Sequence, residues 1–410
     1  MKKIVCFLMM VVLSFASLTT LAGCTKREDL LKLYMPGEYI DEDIFEDFAE
    51  YYKEQTGKKV KVQISLFNTL EEMLTRMDME KPDFDLICPS DYAIERMISR
   101  GWVQKIDKNV IKAEDVTRSE YLALSRQFDA DLEYSVPYMY GTMGIMYNYQ
   151  KTNKQLDSWA SIFEGEFHGD VYQKKSMREF YTSACLYAKR DELSEASDGF
   201  NSYGTAYRTL IDSIFADTSA TMLAQAKSVL ETQKTHLRKY DDEDGKFLMA
   251  QNEGTAALAW SCDAGYVMSE YEDDDGNIQQ GNPNLWYIIP KEGGNVYIDS
   301  FVISAYAKNV EAANWFIKFV CQKDIAIQNS EYIGAISPVE AAYDQLLADY
   351  AERAENKTDM FEGKSEEWCE MYIDMLFPSQ ETLARCAVNP DYKNALEEQA
   401  IASMFADMTN

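Results

Sequence analysis

The sequence contains very little histidine, and this shortage excludes several classes of chemistry. Among its 410 residues there are 2 histidines, His168 and His236. Two histidines leave little possibility of a histidine-dependent catalytic triad or a multi-histidine metal site. The chain also lacks a GxSxG elbow, a GxGxxG fingerprint, a Walker loop and an HExxH motif. These absences argue against esterase, dinucleotide-binding, nucleotide-hydrolysing and zinc-protease functions together.

Metal-binding patterns are missing as well. No two cysteines have the CxxC spacing of a zinc site or a redox motif. Placing Gly245 or Gly276 at the sixth position of an EF-hand loop puts Tyr240 or Tyr271 at the first ligand position. The acidic stretches 241–244 and 272–275 are therefore predicted to be solvated loops. We expect no metal and no cofactor, and the apolar surroundings of Cys88 and Cys321 favour buried free thiols.

Positive charge is also scarce, since 40 lysines and arginines face 69 acidic residues and leave a formal charge of −29. Removal of residues 1–23, which carry two lysines and no acid, would bring the charge to −31. Such a surface repels nucleic acid and anionic lipid headgroups, and it attracts cations over a distance that screening by salt limits. The charge therefore favours a cationic ligand and argues against nucleic acid as a partner.

The N-terminus has the pattern of an export signal. Lys2 and Lys3 precede the apolar run 4–15, and small residues lead into Cys24. A transmembrane anchor is the alternative, but Ser14 and Ser17 interrupt a run that falls short of about 20 apolar residues. The stretch 21–24 resembles a bacterial lipobox. That resemblance implies cleavage before Cys24, a lipid on Cys24 and an extracytoplasmic, membrane-tethered protein.

The body of the chain begins with alternating strand and helix patterns. We predict strands at 30–34, 60–67 and 84–88, and helices at 43–56, 69–79 and 91–100. Such a βαβαβ unit predicts an α/β fold with a parallel sheet covered by helices. Further strands are expected at 143–148, 255–261, 286–290 and 298–304, further helices at 177–190, 220–239 and 310–321, and helices throughout the C-terminal third.

Several predicted strands end in segments that offer an aromatic ring, a carboxylate or both. In an open α/β sheet, ligands collect at the carboxyl ends of strands, so these segments could converge on one cleft. Taken singly, an aromatic residue is more often core and an acid more often a helix cap, and Asp91 is predicted as an N-cap. The segments are Glu38-Tyr39, Ser90-Asp91-Tyr92, Arg178-Glu179, Trp260-Ser261-Cys262-Asp263 and Tyr297-Ile298-Asp299-Ser300.

A family resemblance covers nearly the whole mature chain, most specifically in the Pro-Ser-Asp-Tyr turn at 89–92 and in the stretch from Pro290-Lys291-Glu292-Gly293-Gly294 to Asp299-Ser300. Other matching segments are 34–39, 84–88, 101–107, 135–142 and 258–261. In this order the segments resemble the spermidine/putrescine-binding proteins of polyamine ABC transporters.

The resemblance implies a fold and a partner. The fold is a two-lobed periplasmic binding protein of type II, each lobe a mainly parallel sheet flanked by helices, with the ligand cleft between the lobes. Lobe 1 would comprise 24–140 with 298–350, and lobe 2 would comprise 141–297 with 351–410. The protein would be a monomer that delivers a polyamine to an ABC permease of the inner membrane, without being an enzyme.

The resemblance also assigns site residues. Asp299 and Glu179 would take ligand amines, and Ser90 would contribute a hydroxyl. Tyr39, Tyr92, Trp260 and Tyr297 would form an aromatic wall against the ligand methylenes, since cation–π contacts and charge-assisted hydrogen bonds suit a polyamine.

Two positions depart from the family pattern. Pro36 stands where the family often has an aromatic residue, and Ser176 where the spermidine binders often have a second carboxylate. The missing charge favours putrescine over spermidine, unless Asp263 or Glu38 substitutes.

Two other functions stay open at this point. The same clamp could bind a sugar, an amino acid or a metal complex, because a fold does not fix a function. A secreted glycosidase is also open, since 69 acidic residues make accidental carboxylate pairs certain.

Overall fold

The computed structural model describes residues 26–241, 245–269, 271–272, 278–392 and 394–409. The predicted signal segment and Cys24 lie outside these residues, as do parts of both acidic stretches. Within the described ranges, no helix combines the length and the apolar character that crossing a bilayer would require. The cysteines of the described chain, which include Cys88 and Cys321, are free thiols, and these two are buried as predicted.

Strands occupy both halves of the described chain. They are β1 (Leu30–Pro36), β2 (Lys61–Phe67), β3 (Leu86–Ile87), β4 (Val103–Gln104), β5 (Ser135–Asn148), β6 (Val171–Lys174), β7 (Lys239–Asp241), β8 (Ala256–Trp260), β9 (Tyr271–Glu272), β10 (Ile278–Gln279), β11 (Leu285–Ile288), β12 (Gly294–Ser304) and β13 (Cys386–Ala387).

Helices cover the sheet and form most of the C-terminal third. They are α1 (Ile44–Thr56), α2 (Leu70–Glu80), α3 (Asp91–Ser99), α4 (Ser119–Ser125), α5 (Tyr149–Thr152), α6 (Ala160–Phe163), α7 (Met177–Ala188), α8 (Arg190–Ala196), α9 (Thr205–Phe215), α10 (Ala220–Lys234), α11 (Gly245–Ala250), α12 (Ser261–Met268), α13 (Val310–Val320), α14 (Lys323–Ile333), α15 (Glu340–Asn356), α16 (Glu366–Leu376), α17 (Gln380–Ala384) and α18 (Ala395–Thr409). Three short 3-10 turns lie at Arg27–Asp29, Ala113–Asp115 and Asp359–Phe361.

The predicted βαβαβ unit is confirmed, because β1 pairs in parallel with β2 and with β3. Local chemistry fixes its helix ends. The hydroxyl of Thr69 accepts from the backbone N–H of Glu72 at the start of α2. Gly57 ends α1 with φ of 73°, a left-handed conformation that glycine adopts without steric cost.

Two sequence-based expectations about helix ends are wrong. Ser90, not Asp91, occupies the N-cap position of α3, because Asp91 already has helical geometry as the first residue of the helix. An acid in the first turn is still favoured by the helix dipole. The helix predicted at 220–239 ends at Lys234, since Lys239 begins β7 and pairs with Tyr172 of β6.

The long strands β5 and β12 connect two groups of strands into one sheet. They pair antiparallel with each other, from Val296 opposite Thr142 to Val302 opposite Ser135. At one end β12 pairs with β3 and β4, whereas at the other end β5 pairs with β8 and β11. The sheet order is β2-β1-β3-β12-β5-β8-β6-β7, so the parallel groups meet at an antiparallel centre. A type II two-lobed binding fold has this mixed α/β character.

Candidate functional site

Asp299 lies near the middle of the crossing strand β12, at an irregularity in the sheet. The register with β5 shifts between Asp299 and Ser300, so that Asp299 faces Met139 while Ser300 faces Pro137. Such a bulge bends a strand and redirects a side chain. Asp299 also forms an isolated antiparallel bridge with Ser90, the N-cap residue of α3. The bulge therefore places a carboxylate where β3, β5 and β12 meet.

The Asp299 carboxylate is buried and is bound by hydroxyls. Its Oδ2 accepts from the Tyr39 hydroxyl at 2.5 Å, its Oδ1 accepts from the Ser90 hydroxyl, and the residue is 8% exposed. Burial raises the pKa of Asp299, and the two hydroxyl hydrogen bonds oppose this rise. No cation of the described chain contributes to the shift. Asp299 is thus a buried acid without a positive partner in the described structure.

Tyr297 lies two residues before Asp299, on the same face of β12. Its hydroxyl lies 3.2 Å from Cys262 Sγ, so the ring reaches across β5 to the start of α12. Gly141 lies opposite Tyr297 in the ladder, and a Cβ at this glycine would collide with the Tyr297 phenol. The glycine therefore leaves the space that the tyrosine ring occupies.

Trp260 ends β8 beside this ring. The two ring centroids lie 6.4 Å apart at an interplanar angle of 64°, an edge-to-face contact. Tyr39, Trp260 and Tyr297 are each partly exposed. The structure thus brings together five of the residues that the resemblance assigns, namely Tyr39, Ser90, Trp260, Tyr297 and Asp299.

A lysine that sequence reasoning did not single out also contacts Trp260. Lys174 Nζ lies 4.0 Å from the tryptophan ring centroid and 2.8 Å from Asp263 Oδ2. Asp263 Oδ1 lies 3.1 Å from Lys246 Nζ. Although burial raises the pKa of Asp263, these two ammonium groups outweigh it and lower the pKa to about 2. Asp263 is therefore an ionised acid already neutralised by protein cations.

Glu179 and Tyr92 lie in a second cluster around Arg178. Glu179, in the first turn of α7, accepts from the Ser176 hydroxyl, and Asn389 Nδ2 lies 3.5 Å from its other oxygen. Burial raises the pKa of Glu179, while Ser176 and the charge of Arg178 oppose the rise. Tyr92 donates from its hydroxyl to Glu71 at 2.9 Å. Glu71 is a second acid of this cluster.

Arg178 is the centre of the second cluster. Its guanidinium carbon lies 3.4 Å from the ring centroid of Tyr92 and 3.8 Å from that of Tyr392. Its Nη1 donates to the backbone carbonyl of Pro390 at 2.7 Å. One face of Tyr92 is therefore covered by a protein cation, and the contribution of Tyr92 to a ligand wall stays a prediction.

The two clusters are close enough to interact electrostatically through Asp91. Burial raises the pKa of Asp91 well above its usual value, the charges of Asp299 and Glu179 add to the rise, and Arg178 opposes it. This places Asp91 between the Asp299 and Arg178 clusters. The residues missed in the sequence are Lys174 and Glu71. Lys174 lies at the end of a strand, two positions before Ser176. Because ligand groups collect at strand ends, this position could have indicated that Lys174 lies near the site.

Comparison with known proteins gives one family and several relatives. Residues 47–358 match the family model described as bacterial extracellular solute-binding protein. The spermidine/putrescine-binding periplasmic protein of Escherichia coli K12 is 26% identical over 340 residues, 82% of this chain and 86% of that protein. The putrescine-binding periplasmic protein PotF of the same organism is 23% identical, over 82% of this chain and 84% of that protein.

Solved structures match almost the full length. The substrate-binding protein PotD of Streptococcus pneumoniae, solved with calcium and HEPES, superposes with a TM-score of 0.67 at 22% identity, over 93% of this chain and 98% of that one. The TpPotD lipoprotein of Treponema pallidum gives a TM-score of 0.66 at 20% identity, over 93% and 99%. At this level of identity the structural matches establish the fold.

Proposed function

The chain belongs to the bacterial extracellular solute-binding proteins, and from this premise we propose that it captures a polyamine and delivers it to an ABC permease. The relatives named above are spermidine/putrescine-binding and putrescine-binding proteins, which supports a di- or triamine as the ligand here. The protein would bind its ligand without changing it, as transport requires.

The buried Asp299 carboxylate carries the proposal. An ionised carboxylate away from water is costly unless a cation pairs with it, and here the described chain supplies hydroxyl donors only. A ligand ammonium would provide the missing charge through a short charge-assisted hydrogen bond. A neutral sugar would leave that charge uncompensated, so the geometry favours an amine over a sugar.

The surroundings of Asp299 suit the rest of such a ligand. Tyr39, Trp260 and Tyr297 present ring surface within the same cluster, and an ammonium over an aromatic face contributes about 0.5–2 kcal/mol. The methylenes between two amines gain by leaving water for such a wall. Glu179, in the second cluster, would receive the other ammonium, since no described cation forms an ion pair with it.

The delivery part of the proposal involves the whole chain. We propose two lobes, 24–140 with 298–350 and 141–297 with 351–410, that close on the ligand by bending at β5 and β12. The two strands pair with each other, β12 also pairs with β3 of one group, and β5 also pairs with β8 of the other, which supports this place for the bending. The protein would be a monomer outside the cytoplasm, tethered by lipid on Cys24 and able to meet its permease at the membrane.

Calorimetric titration of residues 25–410 against a panel of ligands tests the proposal. The panel is putrescine, spermidine, a disaccharide and a neutral amino acid. We expect heat with an amine only, and a ligand at 100 times its dissociation constant should add about 2.7 kcal/mol to the free energy of unfolding. Heat and thermal stabilisation with the sugar or the amino acid, and none with either amine, would contradict the proposal. Hydrolysis of any glycoside in a test panel would instead support the alternative that the protein is a glycosidase.

A further inference from the structure

Arg96 of helix α3 forms ion pairs with two acids near the C-terminus. Its Nη2 lies 2.7 Å from Asp391 Oδ1, and its Nη1 lies 3.0 Å from Glu398 Oε1. Its Nε donates to the same oxygen of Asp391 at 3.0 Å. We propose that these three residues, the C-terminal bridge, hold the two lobes closed over a bound ligand, with Arg96 as a positioning residue. This inference rests on the proposed polyamine function and its two lobes, and it deepens both.

The two sides of the C-terminal bridge belong to different parts of the fold. Helix α3 follows β3, which pairs with β1 in the first parallel unit. On the other side, Phe180 of α7 packs against Phe405 of α18, with ring centroids 5.3 Å apart. Lys234 of α10 donates to the backbone carbonyl of Met408 at 2.7 Å. Helix α18 is therefore anchored on helices next to β6 and β7, so the C-terminal bridge connects the two proposed lobes.

The C-terminal bridge is largely shielded from water. The side chains of Arg96, Asp391 and Glu398 are 15%, 17% and 28% exposed. Salt screens such pairs less than fully exposed ones, and removal of one partner leaves a partly buried charge uncompensated. Glu95 adds a further contact between the same elements, because its Oε2 accepts from the backbone N–H of Asp391 at 2.8 Å. The C-terminal bridge should therefore stabilise the arrangement of the lobes in which it forms.

The C-terminal bridge is also connected to the second cluster of the site. Asp391 Oδ1 lies 3.7 Å from Arg178 Nη2, so Asp391 interacts with an arginine from each proposed lobe. Arg178 precedes Glu179 and lies against the ring of Tyr92, which stands on α3 one turn before Arg96. None of the described ion pairs of Arg96 involves a residue that the resemblance assigns to the ligand. Arg96 would therefore act on binding through the arrangement of the lobes.

Contacts that form only when the lobes close affect the two rate constants of binding differently. A ligand enters the open form, in which the two sides of the C-terminal bridge are apart, so the association rate constant should not depend on it. The ligand leaves only after the lobes open, so loss of the C-terminal bridge should raise the dissociation rate constant. A more stable closed form retains every ligand that closes the lobes. The effect should therefore be the same for a diamine and a triamine.

Substitution of Arg96 by methionine tests this inference, with Arg118→Met as the matched control. Arg118 also pairs with two acids, Glu120 and Asp344, but all three lie in the proposed lobe 1. Stopped-flow measurements with putrescine give both rate constants. We expect Arg96→Met to raise the dissociation rate constant at least about tenfold and to change the association rate constant less than about threefold. Arg118→Met should leave both within about threefold of wild type.

A second variant tests the other side of the C-terminal bridge. Glu398→Gln removes one of the two acids that Arg96 binds, so it should raise the dissociation rate constant by a smaller factor than Arg96→Met. Combined with Arg96→Met it should have no further effect, because the pair is already broken. The ratio of the spermidine Kd to the putrescine Kd should stay within about threefold of wild type in every variant.

Three results would overturn the inference while leaving polyamine binding intact. The first is a wild-type dissociation rate constant in Arg96→Met or in Glu398→Gln. The second is a weaker affinity that comes from slower association alone. The third is an equal rise in Arg118→Met, which would show that any lost ion pair has this effect. If the wild-type protein binds neither amine, the proposed function itself fails.

Discussion

Two aspartates on either side of Tyr297 show how differently one protein can treat a buried acid. Asp299 is bound by the hydroxyls of Tyr39 and Ser90, and burial raises its pKa. Asp263 is bound by two lysines, and its pKa is lowered to about 2. Both carboxylates influence the Tyr297 phenol, so they belong to one region of the molecule. Burial alone therefore does not decide the state of an acid, but the charge of its partners does.

The difference separates charge that is available to a ligand from charge that is already compensated. An ionised Asp299 without a cationic partner lowers the stability of the folded protein, because its charge is buried. For the same reason it should bind a ligand cation most strongly in that state. Asp263 stabilises the fold and has little left to offer a ligand. Substitution of Asp263 should therefore mainly lower the stability of the fold, and substitution of Asp299 should mainly weaken ligand binding.

The largest effect is expected for Asp263→Asn. The substitution leaves two lysines without their shared partner, and loss of one member of a buried ion pair costs about 3–5 kcal/mol. Because the folded pKa lies below the unfolded one, the contribution is present above about pH 4 and disappears as the pH falls toward 2. Urea unfolding at pH 7 measures it. A variant as stable as wild type would contradict this account of Asp263.

The next effect is the loss of diamine binding in Asp299→Asn. The substitution removes the charge that the ligand ammonium would meet, and we expect a cost of about 2–5 kcal/mol, at least about thirtyfold in Kd. Glu292→Gln is a matched control, because Glu292 is also a buried acid with a raised pKa but binds Ser158 outside the site. Equal affinities of the Asp299 variant and the control for putrescine would remove Asp299 from the site.

A smaller effect of the opposite sign is expected on the stability of ligand-free Asp299→Asn. The raised pKa means that the protonated form of Asp299 favours folding, and this contribution is lost as the pH rises through the folded pKa. At pH 7 a neutral amide should therefore stabilise the protein, by about 0.5–2 kcal/mol as is usual for such site substitutions. Urea unfolding without ligand checks the sign, and a clear loss of stability would refute it.

The smallest effect is on the pH dependence of binding. Asp299 is protonated at a higher pH than an ordinary aspartate, so on acidification putrescine affinity should begin to fall above the usual aspartate range, by less than about tenfold per pH unit for this group. Burial also raises the pKa of Glu179, so a part of the dependence should persist in Asp299→Asn. Asp263 should contribute nothing in this range. Titrations at several pH values measure both slopes, and identical slopes would contradict the role of Asp299.

The sequence was sufficient for the local part of this picture. Hydrophobic periodicity and helix-end residues predicted the first parallel unit. The strand-end rule indicated only that several segments could converge, and the family resemblance selected Tyr39, Ser90, Trp260, Tyr297 and Asp299 from them. Of these, Tyr297 and Asp299 lie within β12 and not at the end of a strand. The antiparallel passage of β12 between β3 and β5 was not predictable, because no local pattern records which distant strands will pair.

The residues that compensate or contact these acids were harder to predict from the sequence, for the same reason. Lys174 and Asp263 are 89 positions apart and meet only because β6 pairs with β8. Glu71 reaches the second cluster from α2, where its position in the first turn is already explained by the helix dipole. Pairwise neutralisation of acids therefore depends on tertiary structure, although each acid is visible in the sequence.

A crystal structure of the complex with putrescine tests the central claim most directly. One ligand nitrogen should lie about 2.7–2.9 Å from the Asp299 carboxylate, the distance of a charge-assisted hydrogen bond, while Asp263 keeps both of its lysines. A ligand nitrogen bound to Asp263, or an Asp299 carboxylate turned away from the ligand, would contradict it.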